Sequence, residues 1–190
     1  MNKYKIIVAT ILLSVIVYGN GCLMGKANYR SIKYYGLRSS HQKLSPDTII
    51  KIGNISTIGG TGTKMAFKTG QCHILVDEYH RWLNPPATMI TVALQSSFSG
   101  TVETIPKNVT EYTITATVFD FIADVEAKTV VLGINYQVKN RQGIKFSDSV
   151  MFKVTLKKVD PDSYALAMSK AVVLLAERIN KAVDTIQTKK

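Results

Sequence analysis

Tyr79-His80-Arg81-Trp82-Leu83-Asn84-Pro85-Pro86 is the stretch where the pattern of this chain changes from period two to period 3.6. The residues before it, His73 to Tyr79, alternate and are rich in β-branched and aromatic side chains, which predicts a strand with Ile74 and Val76 on one face and Leu75 on the other. The residues after it, Met89, Ile90, Ala93, Leu94 and Phe98, recur at helical spacing to near Gly100. Asn84 is suited to cap the free amides of that helix, and a proline in the first turn loses no hydrogen bond. Trp82, the sole tryptophan, is expected to wedge the helix against the sheet. Arg81 is expected to stack on an aromatic ring or hold a carboxylate.

Working outward, Tyr29 to Leu37 and Thr48 to Ile55 read as two strands, and Met65 to Lys68 as a short edge strand beyond a loop containing Gly59, Gly60 and Gly62. Downstream, Tyr112 to Phe121, Lys128 to Val138 and Lys145 to Leu156 are three further strands. Asn140-Arg141-Gln142-Gly143 makes a polar turn joining the last two as a hairpin. The final segment is the clearest helix. Asp160-Pro161 supplies its start; Met168, Val172, Leu175, Ile179, Ala182 and Ile186 form one apolar stripe; and Glu177 and Lys181 are placed as an i,i+4 pair. The order is ββββ-α-βββ-α. Strand runs interrupted by two helices define an α+β fold: a largely antiparallel or mixed sheet with both helices packed on one face.

The N-terminus has a different character. Asn2, Lys3 and Lys5 precede an apolar run from Ile6 to Tyr18, and Gly19-Asn20-Gly21 leads into Cys22. This is the layout of a secretory signal peptide over residues 1–21. Its apolar run of about 13 residues is shorter than the roughly 20 that span a bilayer. A cysteine at the exit indicates a bacterial lipoprotein with acylation at Cys22, although Gly19 and Asn20 replace the usual lipobox residues. Ordinary secretion and an uncleaved anchor are the alternatives. Residues 22–28 read as a flexible tether and 29–187 as one domain.

With 46% hydrophobic residues, the chain has the material for one core. Removing Lys3 and Lys5 leaves +9 of the formal +11 charge. A basic surface favours anionic partners, and export argues against nucleic acid among them. The cations are dispersed singly, as on a solvated surface. Cys72 alternates with apolar neighbours and is expected to pack as a small hydrophobe in a strand. If Cys22 kept its thiol, an export compartment would permit a Cys22–Cys72 bridge. One cysteine and three scattered histidines offer too few soft ligands for zinc.

Catalytic signatures are weak. There is no Gly-x-Ser-x-Gly elbow and no His-Glu-x-x-His. Gly60-Thr61-Gly62-Thr63-Lys64 lacks the residues of a P-loop and precedes a strand, so no helix N-terminus is available for phosphate. Strand alternation sets Glu78 and His80 on one face and Asp77 on the other, which reads His80 as structural rather than as a general base.

The Tyr79–Pro85 stretch resembles the Tyr-His-Arg-Trp-x-x-Pro segment of the ABC-type transport auxiliary lipoproteins, the PqiC-like family. Tyr34-Tyr35-Gly36-Leu37 resembles the family's Tyr-Tyr-x-Leu. Ile52-Gly53-Asn54-Ile55 resembles its Val-Gly-Pro-Val strand. Asp162-Ser163-Tyr164 with Ala167, Ser169, Ala171, Leu174, Leu175, Ala176 and Ile179 resembles its closing helix. Where the family often has Pro-x-Tyr-Leu, this chain has Ile58-Gly59-Gly60-Thr61-Gly62.

The resemblance implies a non-catalytic accessory of an envelope lipid-transport system, working with an ABC transporter and an MCE-type periplasmic protein. It implies attachment through lipid on Cys22 to the inner leaflet of the outer membrane, with no other cofactor and no metal. Leu23 fits that address, since Asp after the lipidated cysteine is what usually prevents outer-membrane sorting. Tyr35, Tyr79, Arg81, Trp82 and Pro85 are the structural or interface candidates. Phospholipid contact and ring-like self-assembly would suit a conduit component. The alternatives are another envelope binding module, serving lipopolysaccharide assembly or peptidoglycan association, and a secreted hydrolase dependent on His80.

Overall fold

The computed structural model describes residues 30–45, 47–99 and 109–188. Cys22, the signal-like segment, the tether and Gly100 lie outside the described residues. The chain divides into two units, Met1–Ser31 and Ile32–Lys190, and every element below belongs to the second.

The elements are β1 (Lys33–Tyr35), β2 (Thr48–Thr57), β3 (Lys64–Thr69), β4 (His73–Trp82), α1 (Pro86–Phe98), β5 (Thr110–Asp124), β6 (Thr129–Asn140), β7 (Gly143–Thr155) and α2 (Pro161–Thr188). This is the expected ββββ-α-βββ-α order. The first strand is much shorter than Tyr29–Leu37. The seven strands form one sheet in the order β1-β4-β3-β5-β6-β7, with β2 also on β5. The sheet is mixed. β3/β4, β5/β6 and β6/β7 are antiparallel, whereas β1/β4, β2/β5 and β3/β5 are parallel.

Strand β5 explains the architecture. Thr113, Thr115 and Thr117 alternate with Ile114, Ala116 and Val118, so one face is polar and the other apolar. The apolar face is buried, together with Val130, Leu132, Ile134, Tyr136 and Val138 of β6. Helix α1 contributes Met89, Ile90, Ala93, Leu94 and Phe98 to the same core, and α2 contributes Met168, Val172, Leu175, Ile179 and Val183. Both helices therefore cover one face, as the apolar stripes require. On the exposed side of α2, the expected Glu177–Lys181 pair does not form. Arg178 reaches Asp148 of β7 instead, Nε to Oδ2 at 2.7 Å.

The helix starts differ in mechanism. At α2, the Ser163 N–H donates to Asp160 Oδ1 at 2.7 Å, a side-chain cap in front of the first-turn Pro161. At α1 the expectation for Asn84 is corrected: Pro85 occupies the N-cap and no side chain caps the helix. Pro86 stands at the first helical position, where its lost N–H removes one of the orphan donors.

One edge of β5 is shared. Strand β2 runs along Thr110–Val118 and β3 along Ala123–Asp124. Between them, among the described residues, Phe119–Ile122 have no strand on that side. Strand β3 is thus an interior strand between β4 and β5, not the edge strand its length suggested. The loop linking β2 to β3 carries Gly59 (φ 69°), Gly60 (φ 114°) and Gly62 (φ 64°), backbone conformations that only glycine adopts readily.

Candidate functional site

The break in the β5 edge is where the Tyr79–Pro86 stretch sits. Tyr35 of β1 pairs with Trp82 at the end of β4. The chain is pinned there by Trp82 N–H donating to Thr63 O at 2.6 Å and Leu83 N–H donating to Tyr35 O at 2.8 Å. The Trp82 side chain is 1% exposed. Its ring meets Phe121 and Tyr164 edge-on, each at 5.1 Å between centroids. Phe67 adds a further edge contact to Tyr164 at 5.3 Å. Trp82 therefore packs between the sheet and α2, the closing helix, whereas the sequence pointed to the helix that follows it.

The hydroxyl of this cluster is matched as burial requires. Tyr164, fully buried, donates its hydroxyl to the backbone carbonyl of Phe121 at 3.1 Å. Phe121 lies within the break, so a side chain of α2 takes the place of a missing strand. Burial pushes the Tyr164 hydroxyl's pKa well above the ordinary tyrosine range.

Arg81 is half-buried. Among the described residues it makes neither of its expected contacts, an aromatic stack or an ion pair, and its Nε is buried without a hydrogen-bond partner. Tyr79 is 42% exposed and Leu83 63%, so the rim of the junction is an apolar surface. Pro85 shapes the α1 start described above.

The register between β3 and β4 jumps from Lys64↔Arg81 to Ala66↔Val76. The extra β4 residues form a bulge, and a bulge breaks strict alternation. As a result Asp77 and His80, expected on opposite faces, meet: His80 Nδ1 lies 2.8 Å from Asp77 Oδ2. Asp77 Oδ1 also accepts the Tyr79 and His80 N–H groups at 2.8 and 2.9 Å. Burial raises the Asp77 pKa, but these donors outweigh it and hold it below the usual carboxylate value. The carboxylate thus satisfies the amides that the bulge frees. No serine, threonine or cysteine is hydrogen-bonded to the His80 ring among the described residues. Cys72 is exposed in the β3–β4 turn rather than packed in a strand, because the turn precedes the first β4 residue. Ile74 and Leu75 are 54% and 51% exposed, so neither face of the β4 start is covered.

Among the described residues, hollows open at the junction and elsewhere on the sheet. A cavity of about 160 Å³ opens at the break, lined by Ile58, Thr61, Lys64, Phe119, Asp120 and Ile122 among others. A shallower groove of about 450 Å³ on the uncovered sheet face has Ile74, Ile122, Val131 and Met151 flanked by Lys68 and Lys153. A third hollow of about 430 Å³ is polar, with Asn54, Ser56, Thr115, Thr117, Asn135 and Gln137. Sequence reasoning did not single these residues out, although the threonine alternation in β5 carried the signal. No cluster of three or more His, Cys, Asp or Glu is placed to hold a metal among the described residues. No helix among them is long and apolar enough to cross a membrane.

These features define a class: an α+β domain in which two helices close one face of a mixed sheet and an aromatic plug packs behind the sheet's break. The sequence matches the family described as ABC-type transport auxiliary lipoprotein component over residues 61–180, which runs from the glycine loop through most of α2, and the chain belongs to that family. The fold is similar to a crystal structure of a Xanthomonas campestris protein of the DUF330 family. That likeness has a TM-score of 0.65 at 13% identity, covering 84% of this chain and 98% of that one. It is also similar to a crystal structure of an uncharacterised protein, with a TM-score of 0.64 at 14% identity, covering 80% and 99%. No curated protein matches the sequence. The family suggests an accessory role in transport and an association with ABC-type transport components.

Proposed function

We propose that this chain is a non-catalytic accessory of an MCE- and ABC-type lipid transport system, anchored through lipid on Cys22 to the periplasmic face of the outer membrane. The observation that carries the reading is the family match over residues 61–180, which takes in both the aromatic plug and the closing helix. The cysteine at the end of an export-type segment supports it, as does Leu23 after that cysteine. Two acyl-bearing groups would hold the protein stably where one chain gives only marginal binding. Residues 29–187 act as a single domain, with Trp82 organising its junction and Arg81 beside it on β4. Tyr35, Tyr79 and Pro85 border the surface offered to the MCE-type partner.

Envelope fractionation of a Cys22→Ala variant tests the anchor, and deletion of the gene tests the role. The variant is expected to leave the membrane fraction in a high-salt wash, which screens peripheral electrostatic contacts, and the deletion to disturb outer-membrane lipid asymmetry and detergent resistance. A variant that stays membrane-bound, with a deletion that leaves both properties unchanged, would reject the proposal.

A further inference from the structure

The β6–β7 hairpin ends in Lys139-Asn140-Arg141-Gln142-Gly143-Ile144-Lys145, and Arg141 to Lys145 are all exposed. Phe146, Val150, Phe152 and Val154 of β7 pack against the core, so simple alternation would send Ile144 inward with Phe146. The register prevents this. Val138 faces Phe146 while the next β6 residue, Lys139, faces Ile144, which leaves Lys145 as an extra residue. Such a bulge re-aims side chains. Here it turns Ile144 to the side of Lys139, whose other neighbour is Thr113, on the face the helices leave uncovered. Ile144 is 57% exposed as a result.

Lys139, Arg141 and Lys145 have no carboxylate partner among the described residues. Among the described acids at this end of the sheet, Glu111 is engaged by Lys51 and Asp148 by Arg178, and Asp47 lies beyond β5, next to Thr110. Lys145 Nζ donates only to Gln142 Oε1, at 3.0 Å. Among the described residues, the tip thus combines one outward aliphatic side chain with three cations that no carboxylate neutralises.

We propose that this tip is a peripheral membrane contact. Ile144 enters the boundary between headgroups and acyl chains of an anionic lipid surface, and Lys139, Arg141 and Lys145 lie against the lipid phosphates. Cations without carboxylate partners around an outward aliphatic side chain complement an anionic lipid surface in charge and in polarity. A stable protein interface needs about 800 Å² on each partner, whereas a lipid surface accepts a single aliphatic side chain flanked by long cationic ones. The contact does not depend on acylation of Cys22, and in an anchored protein it would fix the orientation of the domain on the bilayer.

The test places a tryptophan at the tip of the full chain, Ile144→Trp, with buried Trp82 as a constant background. Its readout is the environment of that side chain on vesicles, so affinity contributed by the N-terminal segment does not enter. With phosphatidylglycerol mixed into phosphatidylcholine, the emission should shift to the blue and be quenched by brominated acyl chains. Pure phosphatidylcholine should give neither effect. Adding K139E/R141E/K145E should abolish both, since each cation near an anionic surface is worth roughly fivefold in partitioning. The near-UV signal of the Trp82 cluster verifies the fold, and the corresponding glutamine variants replace the glutamates where it changes. Emission that is the same with every lipid, or protection by polyglutamate but not by vesicles, would overturn the proposal, the latter in favour of an acidic protein.

Discussion

The hydroxyl of Tyr164 on α2 donates to the main-chain carbonyl of Phe121 on β5 at 3.1 Å, across the gap where neither β2 nor β3 reaches β5. A helix side chain thereby does in this sheet what a neighbouring strand does elsewhere. Tyr164→Phe keeps the ring contacts with Trp82 and Phe67 but leaves that buried carbonyl unpaired. An unsatisfied buried group costs about 1–3 kcal/mol, so the urea midpoint should fall by that equivalent with the slope unchanged. A loss below a few tenths would show that the carbonyl finds another donor.

Trp82 is the volume around which the junction closes. Trp82→Ala removes an aromatic that touches both Phe121 and Tyr164, and truncating a buried aromatic of this kind costs about 3–5 kcal/mol. Trp82→Phe should cost distinctly less, because a smaller ring still fills part of the site. In the parent protein the Trp82 emission should be blue and inaccessible to acrylamide, becoming quenchable only through the unfolding transition.

The sequence was most legible where structure is decided locally. The Asp160–Pro161 start, the α2 stripe and the β6–β7 turn follow from capping, period and turn chemistry within a few residues. Three features depended on pairing register instead, which no local window contains. Asp77 meets His80 only because β4 bulges against β3. Ile144 faces out only because β7 bulges against β6. Strand β3 is interior because β2 stops short on β5, although its own composition and length read as an edge. The junction was located by its motif, but Tyr164, its central hydrogen-bond donor, is far away in sequence and was seen only as part of a helix.

Tyr136 lies buried on β6, with its hydroxyl 3.4 Å from Asp148 Oδ2. Burial, with Asp148 second, pushes its pKa from 10.0 up to about 12. In the unfolded chain the phenol ionises near the ordinary value, so between these two limits the unfolded state has lost the proton and the folded state retains it. Stability from this group is therefore fully present below pH 10 and declines as pH rises toward 12. Urea midpoints measured across that range should fall, and Tyr136→Phe should show a shallower decline. The slope should not vanish, because the buried Tyr164 is shifted in the same direction. Equal slopes in the two proteins would assign the alkaline sensitivity elsewhere.

Gly133 on β6 tests how the uncovered sheet face is packed. Phe119, the extra β5 residue where the register shifts between Val118 and Asp120, lays its ring over this glycine. A Cβ added at Gly133 would fall 2.4 Å from Phe119 Cε2 and 2.9 Å from Asp120 Cβ. Both are closer than atoms tolerate, so the ring must move and β5 must give slightly. Gly133→Ala should destabilise the protein by about 1–3 kcal/mol, the usual range for overpacking. The clash with Phe119 can be removed independently by Phe119→Ala, whereas the approach to Asp120 cannot. The double variant should therefore be more stable than the sum of the single losses predicts, with a coupling of about 0.5–3 kcal/mol as for residues in direct contact. Additive losses would mean that the glycine is required by the backbone of β5 and not by the ring above it.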